Sequence, residues 1–147
     1  MSTPADTSQT DAGSQLEPGS FRDPESRVFY AGDGVYRSLS ADGLADFEAV
    51  SSSKLWERYS GDGSIVGTDL LENGAGLPGG LVKESAAVLK HERIPFVSYP
   101  YEWTFSMLKD AALLQLDLML AALEEDMVLK DSSPYNCLLY TSDAADE

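Results

Sequence analysis

The hydrophobic pattern starts late in the chain. Residues 1–19 are rich in Ser, Thr, Asp, Gly and Pro and hold no apolar run. They bury too little surface to offset chain entropy, so they are expected to be disordered. Apolar positions then cluster. The runs RVFY at 27–30 and VYRSL at 35–39 are rich in β-branched and aromatic residues, with Ala31-Gly32-Asp33-Gly34 between them. Two such runs around turn formers predict a β-hairpin.

Ser40 suits a helix N-cap. Leu44, Phe47, Val50, Leu55 and Tyr59 follow as an imperfect helical stripe, and Gly61-Asp62-Gly63 ends it. Residues 65–68 predict a short strand. Residues 73–80 hold four glycines and read as a connecting loop. Residues 94–103 form an aromatic stretch in which Pro95 and Pro100 oppose a helix, predicting an edge or a strand exit. The clearest helix spans 104–126, dense in Ala, Leu and Met. It is apolar on most faces between Ala111 and Leu123, which is the pattern of a helix buried in a larger protein. Met127, Val128 and Leu129 then predict a short strand leading into a loop.

Composition narrows the function classes. The chain has 147 residues, is 43% hydrophobic and carries a net charge of −15. An acidic balance disfavours nucleic acid, whose phosphates need clustered Lys and Arg. It equally disfavours anionic lipid. Residues 1–20 carry no Lys, no Arg and no apolar core of a signal sequence. The 111–123 stretch is interrupted by Gln115 and Asp117 and falls short of the roughly 20 residues a spanning helix needs. Cys137 is the single cysteine and has no internal partner. A cytoplasmic setting with no membrane partner is expected.

The last eleven residues, CLLYTSDAADE at 137–147, do not continue the pattern before them. They are encodable by a string that resembles a transposase mosaic end followed by a sequencing adaptor, read in frame. They are therefore expected to be non-native, with the natural chain running on past Asn136; the plain alternative is an acidic tail. Without Asp143, Asp146 and Glu147 the net charge falls from −15 to −12.

The chemistry-bearing segment is Lys130-Asp131-Ser132-Ser133-Pro134-Tyr135-Asn136. A long buried helix, a short strand and then Asp-x-x-x-x-Asn is the order around the catalytic loop of protein-kinase-like folds. There the Asp meets the hydroxyl that attacks the γ-phosphate, and the Asn holds a metal ion on the phosphates. On this reading Asp131 is a base and Asn136 a metal ligand, with Mg and ATP as the matching cofactors. Leu129, Lys130 and Ser133 depart from the usual His, Arg and Lys. Neither a G-x-G-x-x-G hairpin nor a V-A-I-K strand is visible. The alternative is a solvated Asp in an ordinary Pro-containing turn.

Other candidates are plainer. The 73–80 glycines lack the spacing of a phosphate loop. Residues 62–73 fail as a calcium loop, because Ser64, Val66 and Asn73 stand at ligand positions. His91, the only histidine, excludes a multi-imidazole zinc site and reads as part of a surface charge run with Lys90, Glu92 and Arg93. Tyr99 and Trp103 read as aromatic packing more than pocket lining. Glu124, Glu125 and Asp126 read as a solvated helix end.

The runs HERIPFVSYPYEW at 91–103, FSMLKDAA at 105–112 and LKDSSPYN at 129–136 are similar to one bacterial family. Its members are described as class I S-adenosylmethionine-dependent methyltransferases, some as nodulation-type proteins. GSFRDP at 19–24, Val28 and Tyr36-Arg37 look like that family's opening. The resemblance covers residues 19–136, with 68–83 variable. It implies that the methyltransferase domain, with its Gly-rich S-adenosylmethionine loop, follows later in the chain. No residue of this chain is therefore assigned to that cofactor. The partners implied are the protein's own C-terminal domains and a methyl acceptor, small molecule or protein. The fold class expected for 20–136 is α+β, an incomplete protein-kinase-like module: a small hairpin-and-helix lobe plus the start of a helical lobe. Such a fragment is expected to be inactive alone, and poorly soluble or self-associating, because the helix at 104–126 would expose a large apolar surface.

Overall fold

The computed structural model describes residues 14–71, 77, 82, 85–130 and 133–136, without the side chains of residues 21 and 22. The chain is α+β. It divides into two units, residues 1–52 with 65–93, and residues 53–64 with 94–147.

The first unit is built on a five-stranded antiparallel sheet. Its strands are β1 (Ser14–Leu16), β2 (Ser26–Ala31), β3 (Gly34–Leu39), β4 (Thr68–Leu71) and β5 (Ala87–His91), in the spatial order β1-β2-β3-β5-β4. The predicted hairpin is β2–β3, paired from Ser26 with Leu39 to Ala31 with Gly34. Its loop is Gly32-Asp33, and Gly32 takes φ +55°, a backbone region that a side chain at this first loop position would strain. Antiparallel register puts opposed residues on one face. Phe29 therefore stacks on Tyr36 with ring centroids 5.4 Å apart. Phe29 and Val88 are fully buried on that face; Leu39 and Leu89 are buried on the other.

Helix α1 (Ala41–Ser51) follows β3 directly, with the Ser40 side chain accepting the Gly43 N–H at 3.1 Å. Gly43 lies hard against the chain before β2: a Cβ there would sit 2.8 Å from the Glu25 carbonyl oxygen. No side chain of α1 is buried.

The second unit holds helix α2 (Lys54–Gly61) and the long helix α3 (Phe105–Leu123), which are in contact. Leu55 and Tyr59 of α2 are buried. Trp103 and Ala111 form a small core with Met107 and Leu114. The Trp103 indole N–H donates to the Ser98 hydroxyl at 2.9 Å inside it.

Several expectations change. Residues 14–16 form an edge strand because Ser14, Gln15 and Leu16 pair with Ala31, Tyr30 and Phe29, so the disordered reading does not reach them. Residues 1–13 lie outside the described set. The predicted single helix is two, broken where Ser52 ends α1 and Ser53 caps α2. The strand expected at 65–68 lies instead at Thr68–Leu71, paired to a β5 that was not anticipated. Residues 94–99 form no strand, and Pro100–Glu102 makes a 3-10 turn. Met127, Val128 and Leu129 form no strand either: α3 is followed by a turn at 124–126 in which Asp126 takes φ +59°. Helix α3 exposes apolar surface, as expected for this length of chain: Leu113, Leu116, Leu120 and Leu123 are each about half exposed or more, and only Ala111 and Ala122 are buried.

Candidate functional site

The predicted loop is only partly described. Asp131 lies outside the described residues. Asn136 closes the 3-10 turn Pro134–Asn136, is exposed, and donates its backbone N–H to the Ser133 carbonyl at 2.9 Å. The same carbonyl accepts the Gln115 side-chain N–H at 2.9 Å, so α3 anchors the turn that carries Asn136. The 73–80 glycine segment also falls outside, apart from Leu77.

A second set of polar groups lies on one face of the sheet. His91 stands opposite Val35 on β3 and opposite Thr68 on β4. Its Nδ1 is 2.9 Å from the Thr68 hydroxyl, and that hydroxyl donates to the Val66 carbonyl at 2.9 Å. The Thr68 hydroxyl thus bridges the Val66 carbonyl and the His91 ring, and when its proton goes to the carbonyl Nδ1 carries the imidazole proton. Burial, and then the Arg37 guanidinium, push the His91 pKa down to about 4. The ring is neutral near pH 7 and a weak base. Its Nε2 and the Arg37 Nε are buried without a protein hydrogen-bond partner. Arg37 Nη1 donates to the Ser26 hydroxyl at 3.2 Å, which donates to the Asp23 carboxylate at 2.7 Å. His91 is thus a neutral sheet residue and not part of a solvated charge run. No sequence signal marked it, because the five residues of β5 are flanked by polar chain on both sides.

A third arrangement also escaped the sequence. The Glu125 carboxylate accepts the Lys54 N–H at 3.1 Å and the Leu55 N–H at 2.9 Å. With the Ser53 hydroxyl on Trp56 N–H at 3.1 Å, it satisfies the N-terminus of α2. Glu125 is therefore a distant helix cap, and the solvated-end reading holds only for exposed Glu124 and Asp126. Trp103 is core, as expected, while Tyr99 is exposed and stacks on Tyr101 at 5.5 Å.

Cofactor fit is limited. Every strand pairing is antiparallel, and the described residues contain no strand, Gly-rich turn and helix in the order that cradles S-adenosylmethionine. Among them no three His, Cys, Asp or Glu gather as a metal centre would require. None of their helices is long and apolar enough to cross a membrane.

Comparison with known sequences adds what geometry does not. The chain is similar to a nodulation protein. NoeA of Rhizobium meliloti (strain 1021) is 35% identical over 118 residues, which make up 80% of this chain and 24% of NoeA. The chain thus spans about a quarter of the length of the relative it matches, and the match supports a NoeA-like family. No protein-family model and no solved structure matches the chain.

Proposed function

We propose that this chain is one region of a longer NoeA-like polypeptide of the methyltransferase type, and that it positions or regulates catalysis without performing it. The observation that carries this reading is the asymmetry of the match: most of this chain aligns with about a quarter of NoeA. Methyl transfer would belong to the part of such a polypeptide that aligns with the remaining three quarters of NoeA. The test is recovery of the reading frame beyond the codon for Asn136, followed by S-adenosylmethionine titration of the long and short chains. The expected result is binding by the long chain alone. A frame that ends at Glu147, or a long chain that does not bind, overturns the reading.

A kinase-like phosphotransfer is the second reading. It is favoured by the Gln115 tether, which fixes the turn bearing Asn136 to the long helix. Asp131 would take the proton of the attacking hydroxyl and Asn136 would hold Mg on the phosphates of ATP. Mg-dependent ATP binding by the longer chain, lost in Asn136→Ala and kept in Asp131→Asn, is what this reading requires. A binding scaffold with no nucleotide affinity is the remaining outcome.

A further inference from the structure

Helix α3 carries two apolar stripes. Met107, Ala111, Leu114 and Ala122 lie on the partly or fully buried side. Leu113, Leu116, Leu120 and Leu123 are spaced three, four and three residues apart and are 49%, 60%, 61% and 54% exposed. That spacing is the seam of a two-helix interface. Lys109, the only base on the helix, stands one heptad before Leu116 and closes the seam at that end.

One edge of the seam is charged. Asp110, Asp117 and Glu124 recur every seven residues, all exposed, beside the Leu113 and Leu120 side. Such flanking positions select the partner of a helical pair through opposite charge. A second copy would bring its own −15 charge and, when antiparallel, its own carboxylate row against this one. An apolar surface alone would accept a second copy in either direction; the carboxylate row opposes the antiparallel one and favours a partner that brings Lys or Arg to that edge.

We propose that the Leu113/Leu116/Leu120/Leu123 face of α3 is a docking site for an amphipathic helix of a partner whose leucine-type stripe is flanked by Lys or Arg. The proposal rests on α3 and is independent of the methyltransferase reading.

The experiment uses the 147-residue chain and fluorescent helical peptides of about three heptads. One peptide has Leu at the seam and Lys on its flanks. A second has the same composition scrambled to break the seam. A third has Glu in place of Lys. The Lys-flanked seam peptide is expected to bind at least about tenfold tighter than either control. Leu116→Asp with Leu120→Asp, both at exposed positions, should remove that advantage with the circular dichroism unchanged. Asp117→Lys should shift preference toward the Glu-flanked peptide. Equal binding of the scrambled peptide means charge alone is read and overturns the proposal. So does a peptide affinity that the leucine variants leave intact. A dimer by light scattering that the same variants convert to monomer also overturns it, in favour of a second copy.

Discussion

Glu125 accepts the backbone N–H of Leu55 at 2.9 Å, joining positions 70 residues apart. A charged acceptor at a helix N-terminus meets two unpaired donors and the positive end of the helix dipole together. Glu125→Ala should cost about 1–2 kcal/mol in the second unit. Both tryptophans, Trp56 and Trp103, lie in that unit, so indole fluorescence in a denaturant titration reads it directly. An unchanged midpoint would show that Ser53 and water satisfy α2 unaided.

Asp126 sits at φ +59°, where a side chain is strained and glycine is not. Asp126→Gly is expected to raise stability by about 0.5–1 kcal/mol, because the strain relieved exceeds the unfolded-state entropy gained. A lowered melting temperature would mean that the Asp126 side chain contributes more than its backbone costs.

How much of this was legible in advance differs by element. The hairpin was, because two β-rich runs flank a Gly-Asp-Gly turn and nothing distant is needed to define it. Helix α3 was, from the density of Leu, Met and Ala. The break between α1 and α2 was not, since three serines in a row suit a helix surface as readily as a cap. Neither was Glu125, which lies among acidic neighbours and is distinguished only by where α2 begins. Strand β5 was hidden because its partners, β3 and β4, come from distant parts of the chain. For the candidate loop, Asn136 was placed in a turn as its Pro-containing context implied, and Asp131 lies outside what is described.

The Trp103 indole N–H is buried and donates to Ser98. Ser98→Ala leaves that donor unpaired and should destabilise the Trp103–Ala111 core by about 1–3 kcal/mol. A parallel change in the indole emission wavelength is expected. Equal stability of the variant would mean that solvent reaches the ring.

His91 gives the sheet unit a pH dependence. Its pKa is about 4 when folded against 6.5 for the free side chain. Between those values the unfolded chain binds more protons, so stability is complete above about pH 6.5 and declines as pH falls toward about 4. With the imidazole partly open to solvent, the loss should reach about 1–2 kcal/mol. Thermal melts followed by circular dichroism at 215–220 nm, roughly the β-sheet region, should show this slope. His91→Gln should flatten it; an unaltered slope would assign the dependence to the carboxylates.

The alternation of the two units along the chain also sets an order of manufacture. Residues 1–93 contain the whole sheet, whereas α2 emerges within that stretch and its cap, Glu125, comes much later. At about 5–20 residues per second, a ribosome takes roughly 4–14 s to travel from Leu55 to Glu125. During that interval the strands of the sheet are all made, while Leu55 and Tyr59 of α2 still await α3 and Glu125. The second unit is therefore assembled later in synthesis than the sheet, although one of its helices is made first.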